Sequence, residues 1–200
     1  GKKFWNREGL SLRQRRILLT GASGQLGSTF RSRFKNSILH ENYKLIPMDS
    51  SAIDFLDEKS ILYALKSCMP SIIVNCAAFT AVDAAEEQYD TAKKVNSDAV
   101  RVLAEWASAN MAKVIHISTD FVFDGAKKFP YLPFDEPNPL NVYGRTKLDG
   151  EKYILELLPD TGMVVRTSWL YSEYGTNFLK SMLRLMSEND AIISKWIKMG

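Results

Sequence analysis

Cysteine is scarce: Cys68 and Cys76 are the only two thiols in 200 residues. Their number and spacing exclude a disulfide-stapled scaffold and a cysteine-based metal centre. No metal is therefore expected, and a reducing cytoplasm is the expected compartment. Long apolar runs are missing too. None approaches the ~20 residues that a bilayer-spanning helix needs, so no membrane partner is expected. Net charge is also low, at +3, which leaves no broad basic surface for nucleic acid. Much of that excess sits in "GKKFWNREGLSLRQRR", and residues 1–15 are read as a basic N-terminal extension. It has no apolar stretch of the secretory kind, so a secretory leader is not expected. Repeats and low-complexity linkers are absent from the sequence.

What is present is ordinary globular material, 46% apolar and 24% charged, enough for a domain with a sizeable core. Five short apolar runs read as strands: 16–20, 43–48, 71–77, 112–118 and 162–168. They are rich in β-branched residues and apolar on both faces, as in strands covered by helices on each side. Helical periodicity occupies 25–36, 58–67, 84–110, 142–158 and 176–188. In the last of these, Phe178, Leu179, Met182, Leu183 and Met186 form one stripe, expected to pack into the core. Cys76, inside "SIIVNCAA", is expected to be a buried small hydrophobe. Strand–helix alternation predicts an α/β fold, a doubly wound parallel sheet of Rossmann-like type with helices on both faces. Ligands of such sheets lie beyond the carboxyl ends of the strands.

"LLTGASGQLGS" follows the first of those strands and runs into a helix, with Gly21, Gly24 and Gly27 spaced three apart. Glycines in such a turn let backbone N–H groups approach a pyrophosphate at a helix N-terminus. Asp49 stands after the second strand, where a carboxylate binds a ribose hydroxyl. It would repel the 2′-phosphate of NADP and so tilts the reading towards NAD. Ser50 and Ser51 beside it are able to hold a phosphate, and a plain turn in "MDSS" explains Asp49 about as well. Asp54 and Phe55 are placed to neighbour an adenine ring, or simply to lead into a helix.

"HISTDFVFDG" delivers Ser118, Thr119 and Asp120 at the end of the fourth strand. Downstream, Tyr143 and Lys147 lie four apart in a predicted helix and therefore share a face. Such a pair is either an exposed couple or a phenol whose pKa an ammonium lowers towards neutrality. Beside a hydroxyl and a dinucleotide turn, the second reading fits carbonyl reduction. Hydride delivery to a ketone leaves an alkoxide in need of a proton and a hydrogen bond. His116, in mid-strand, is expected to be a satisfied core histidine, and Asp83, Glu86 and Glu87 a solvated helix start.

These segments, together with "NCAAFTAVDAAEE", "PLNVYGRTKLDGE" and "RTSWLYSEYGTNFLKSMLRL", resemble the extended short-chain dehydrogenase/reductases from about residue 16 to 188. Within that family the resemblance is to the rhamnose-forming reductases of keto-sugar nucleotides. It implies that residues 16–200 form a dinucleotide-binding reductase domain using NADPH or NADH. Gly24, Gln25 and Leu26 match the pyrophosphate turn, and Asp49, Asp54 and Phe55 the adenosine contacts. Ala78, Phe79 and Thr80 match the segment beneath the nicotinamide ribose, where many relatives carry His or Tyr in place of Phe79. Thr119, Tyr143 and Lys147 match the catalytic triad, with Lys147 also binding the nicotinamide ribose. Val82, Thr119, Asp120 and Trp169 match positions around the nucleotide-sugar substrate, although Trp169 fits a core cap equally well. The implied reaction reduces the 4-keto group of dTDP-4-dehydro-6-deoxy-L-mannose to dTDP-L-rhamnose. A homodimer is compatible with the family.

The resemblance fades at "MSENDAIISKWIKMG". Family members continue into a C-terminal substrate lobe, so the substrate subdomain is expected to be truncated. That leaves an alternative open: a nucleotide-binding or regulatory module without turnover, or an inactive reductase fragment. The fold similarity to the non-catalytic β subunit of methionine adenosyltransferase illustrates the first of these.

Overall fold

The computed structural model describes residues 15–188; the basic arm and the segment after Glu188 lie outside the described residues. Five parallel strands form one sheet in the order β2-β1-β3-β4-β5. They are β1 (Arg15–Thr20), β2 (Tyr43–Pro47), β3 (Ile72–Asn75), β4 (Lys113–Thr119) and β5 (Gly162–Thr167). All five were legible from their apolar runs, with boundaries shifted by at most two residues. The order in which strands are added reverses between the parallel neighbours β1 and β3, which pair Ile17 with Ile72 and Thr20 with Asn75. The loops leaving these two strands part in opposite directions and open a crevice at their carboxyl ends.

The connecting helices are α1 (Gln25–Phe34), the short α2 (Leu39–Asn42), α3 (Glu58–Cys68), α4 (Val82–Glu87), α5 (Tyr89–Lys93), α6 (Ala99–Ala109), α7 (Val142–Leu157) and α8 (Phe178–Glu188). One core cluster joins Leu18, Ile73 and Val114 of the sheet to Ile61 and Leu65 of α3, Leu103 and Trp106 of α6 and Ile154 of α7. On the opposite face Ile17, Leu19 and Val74 pack against Phe34 of α1. Both faces of the sheet's centre are thus covered, which explains why β1, β3 and β4 read as continuously apolar. The edge strands β2 and β5 hold no fully buried residue.

Two expectations need correction. The long helix expected over 84–110 is broken at Gln88, whose backbone (φ −116°, ψ 45°) is not helical. It then carries a π-helical turn over Lys94–Asp98. The extra residue in that turn keeps Asn96 and Ser97 buried. The apolar stripe of α8 is not core: Phe178, Leu179, Leu183 and Met186 are each more than half exposed. An amphipathic period specifies a face to be covered, not what covers it.

Candidate functional site

A cavity of about 870 Å³ lies at the carboxyl end of the sheet, reached by the loops after every strand. At one end is the glycine turn. Gly21 has φ +63°, and a Cβ there would stand 2.6 Å from the Cys76 and Ala77 backbone. At Gly27 a Cβ would meet the Gly21 carbonyl at 2.2 Å. The turn therefore holds β1, α1 and the loop after β3 at backbone contact, which larger residues prohibit. No side chain caps the N-terminus of α1 at Gly24, so the first N–H groups of that helix stay available to an anion. Gln25 and Leu26 line the cavity beside them.

Asp49, Asp54 and Phe55 border the same cavity. Asp49 Oδ1 accepts from Ser51 N at 3.0 Å and from Ser51 Oγ at 2.6 Å, and these bonds hold its carboxyl below the usual pKa. Cavity lining and turn residue are therefore both true of Asp49. Ala78, Thr80 and Val82 follow β3 along the cavity wall. Phe79 is the exception. Its ring packs with Ala85, Ala92 and Val142, and it is not among the residues lining the cavity. Cys76 lies one residue beyond β3 on the cavity wall, half-buried rather than within the strand, with burial pushing its thiol up to about 11.

The other end gathers Thr119, Asp120, Tyr143, Lys147 and Trp169. Thr119 Oγ1 accepts from Phe121 N at 3.2 Å, capping the single 3₁₀ turn Asp120–Val122, and donates to Asp120 Oδ1 at 3.1 Å. Tyr143 lies in the first turn of α7, whose N-terminus is fixed twice. Asn141 Oδ1 accepts from Gly144 N at 2.7 Å, and Glu86 Oε1 accepts from Val142 N at 2.8 Å. Glu86 is thus a cap for a distant helix and not merely solvated. The Phe121 ring meets Tyr143 edge-on at 5.7 Å.

The pKa of Tyr143 departs from expectation in sign. Burial raises it above the ordinary phenol value, a hydrogen bond with Thr119 pulls it part of the way back, and the Asp120 charge raises it further. Lys147 does not acidify it here, because its amine is turned inward. Lys147 Nζ donates to the Ile117 carbonyl at 2.6 Å and lies 3.3 Å from His116 Nε2. The lysine is itself buried, and that burial lowers its pKa to about 8, against the opposing pull of Glu151 and Cys76.

Trp169 is 67% exposed, with φ +52°, and stands edge-on to Phe178 at 5.3 Å on the cavity rim. It is not a core cap. Asn177 Nδ2 donates to Gln25 Oε1 at 3.1 Å, joining the segment before α8 to the glycine turn across the cavity.

Several polar residues that support this wall carry no local sequence signal. Asn96 Oδ1 accepts from Phe79 N at 2.9 Å while its Nδ2 donates to Phe79 O and to Thr146 Oγ1, each at 3.1 Å. Glu151, 1% exposed, accepts from the Ser118 hydroxyl and from Arg166 Nη2 at 2.6 Å. Only the π turn, a feature frequent at functional sites, marks one of them once the structure is known. Among the described residues no helix is long and apolar enough to cross a membrane, and no cluster of His, Cys, Asp or Glu is disposed to hold a metal ion.

A doubly wound parallel sheet with a glycine turn on its first crossover and a cavity at its switch point defines a Rossmann-like fold. Residues 15–194 match the family described as RmlD substrate binding domain, and the chain belongs to that family. It is 41% identical over 177 residues to a dTDP-4-dehydrorhamnose reductase of Aggregatibacter actinomycetemcomitans, a match covering 88% of this chain and 59% of that protein. The crystal structure of such a reductase from Clostridium acetobutylicum superimposes with a TM-score of 0.82 at 41% identity, over 88% of this chain and 61% of the other. That of the Bacillus anthracis reductase, solved in complex with NADP, gives 0.80 at 38% identity over the same shares. The chain therefore spans about three-fifths of the length of the relatives it matches.

Proposed function

We propose that residues 16–200 form the dinucleotide-binding domain of an NADPH- or NADH-dependent dTDP-4-dehydrorhamnose reductase. It would reduce the 4-keto group of dTDP-4-dehydro-6-deoxy-L-mannose to give dTDP-L-rhamnose. One observation carries the reading: Thr119, Tyr143 and Lys147 share a cavity with an uncapped helix N-terminus behind a glycine turn. The names of the relatives, and the NADP in one of their structures, support it.

The residues present fit a dinucleotide. Gly21, Gly24, Gln25, Leu26 and Gly27 border the place for its pyrophosphate, with the uncapped N–H groups of the first turn of α1 as donors. Asp49, Asp54 and Phe55 take the adenosine end, and Ala78 and Thr80 the nicotinamide ribose, with Phe79 acting through its backbone clasp. A reduced nicotinamide, when bound, supplies the hydride. Tyr143 supplies the proton to the nascent alkoxide, and its raised pKa suits this direction, since a donor must hold its proton at neutral pH. Thr119 orients the carbonyl oxygen. Val82, Asp120 and Trp169 border the space left for the sugar nucleotide.

The test follows loss of NAD(P)H absorbance with the keto-sugar nucleotide. Tyr143→Phe is expected to lower the rate by ~10²–10⁴-fold, the usual scale for a positioned proton donor. An unchanged rate rules out that role. A second reading, nucleotide binding without turnover, draws on the open rim, where Trp169, Leu170 and Phe178 stand exposed. Tight cofactor binding with no turnover in the wild-type chain would favour it.

A further inference from the structure

His116 is completely buried, lies outside the cavity lining and has no role in the reaction as drawn above. Its environment nevertheless fixes where its single ring proton sits. Asn75 Oδ1 accepts from the backbone N–H of Ala77 at 3.2 Å and from Thr20 Oγ1 at 2.6 Å. A backbone N–H is only ever a donor, so the oxygen of the Asn75 amide must face Ala77. Its nitrogen then faces His116 Nδ1 at 3.0 Å and donates to it. Nδ1 is therefore the unprotonated ring nitrogen. Burial holds the ring far below its usual pKa, so it is neutral, and the remaining proton is on Nε2.

That proton points at Lys147 Nζ, 3.3 Å away. An ammonium has three donors and no lone pair. Set against an Nε2–H it would bring two donors together in a fully buried place. A neutral amine satisfies both groups, since its lone pair accepts from Nε2–H while one of its own N–H groups donates to the Ile117 carbonyl at 2.6 Å. We propose that the Thr20–Asn75–His116 chain makes His116 a positioning residue, one that lowers the proton affinity of Lys147 in the ligand-free site and favours its neutral amine.

The other groups around Lys147 do not reverse this. Glu151 lies one turn along α7, but its carboxylate is taken by Arg166 and Ser118. Cys76, beyond β3, is held as a thiol by its burial, and Tyr143, one turn back on α7, keeps its phenol proton. The consequence rests on the dinucleotide reading given above. An anionic, acceptor-rich ligand entering the cavity converts –NH₂ to –NH₃⁺ with a proton drawn from solvent. Above the Lys147 midpoint, charge beside Tyr143 would then appear only in the loaded site.

The sequence has only two histidines, so ¹⁵N-histidine NMR of the ligand-free chain reads the tautomer directly, with His40→Gln assigning the second signal. At pH 7 His116 is expected to show a protonated Nε2 and an unprotonated Nδ1. The opposite tautomer or an imidazolium overturns the proposal, whatever the chain binds. In ¹³Cε-lysine spectra the Lys147 midpoint is expected near 8. In His116→Gln, whose amide is free to turn its oxygen to the ammonium, proton affinity is expected to rise tenfold or more. An unmoved midpoint contradicts the positioning role. Calorimetry of NADH and NADPH binding at pH 8.5, in buffers of different ionisation enthalpy, should show net proton uptake that is lost in Lys147→Met. Binding without uptake counts against the proposal. Failure of both nucleotides to bind sinks the dinucleotide reading instead, and the tautomer still decides this one.

Discussion

Asn96 holds both backbone groups of Phe79, accepting from its N–H at 2.9 Å and donating to its carbonyl at 3.1 Å. The pair ties the π turn ahead of α6 to the segment that runs along the cavity after β3. Asn96 is completely buried, so its side of these bonds is shielded from water. Asn96→Leu keeps the volume and removes both partners. Each orphaned backbone group costs about 1–3 kcal/mol, so a loss of roughly 2–6 kcal/mol is expected in urea denaturation. Faster hydrogen exchange at the Phe79 amide should accompany it. A loss below ~0.5 kcal/mol would mean that the loop finds other partners.

Gly150 reverses the usual rule for glycine in a helix. Glycine to alanine inside a helix ordinarily stabilises by about 0.5–1 kcal/mol. Here a Cβ would stand 2.2 Å from the Asn96 carbonyl oxygen, because α7 packs directly on the π turn. The clash is with backbone, which cannot swing aside like a flexible side chain. Gly150→Ala is therefore expected to destabilise by roughly 1–3 kcal/mol, the scale of overpacking, and to lower the thermal midpoint. Gly125 provides the control, since nothing lies within 4 Å of a Cβ there, although its φ of +72° makes alanine mildly strained.

What the sequence disclosed and what it hid divide along a physical line. Strands with two covered faces announce themselves by continuous β-branched runs, and the glycine turn by its place after the first of them. The period of 3.6 put Tyr143 and Lys147 on one face, and both do line the cavity. Asn75 and Asn96 stayed silent because their partners lie 17 to 55 residues away, whereas His116 was legible as a satisfied core histidine but not by its partners. Nothing local distinguishes a buried asparagine from a loop one. The sign of the Tyr143 shift was missed for a related reason. A charge four residues distant is visible in sequence, whereas burial, the largest cause, is a property of the folded cavity. Glu86 likewise read as a solvated acid, because the helix it caps begins 56 residues later.

Arg166 and Glu151 form an ion pair that links β5 to α7 beneath the cavity, with Arg166 Nε 3.1 Å from each carboxylate oxygen and Nη2 at 2.6 Å. The guanidinium also covers the Phe123 ring at 4.9 Å and donates to the Pro133 carbonyl at 3.3 Å, so it anchors the loop between β4 and α7 as well. Removing one partner leaves Glu151 charged and buried. Arg166→Met is expected to cost about 3–5 kcal/mol, while adding Glu151→Leu should restore part of that loss. A double-mutant cycle in guanidinium chloride measures the coupling. Additive losses would show that loop anchoring, and not the pair, carries the effect of Arg166.

Lys147 and Cys76 make stability depend on alkaline pH in opposite senses. The folded-state pKa of Lys147 is about 8 against an ordinary 10.5. Between those values the unfolded chain binds more protons than the folded one, so stability rises with pH. The span corresponds to roughly 3 kcal/mol at ~1.4 kcal/mol per pKa unit. Below pH 8 both states carry the proton and this contribution is flat. Cys76 is shifted from 9.0 to about 11. There the folded state keeps a proton that the unfolded chain loses, so stability falls as pH rises from 9 to 11. The wild type should therefore gain stability from pH 8 to 9 and level off or decline above it. In Cys76→Ala the gain should continue towards pH 10.5, and in Lys147→Met it should vanish. Guanidinium denaturation at pH 7, 8, 9 and 10 tests all three chains. If wild type and Lys147→Met differ by the same amount at every pH, the buried amine does not titrate near 8, and its inward hydrogen bonds hold an ordinary ammonium.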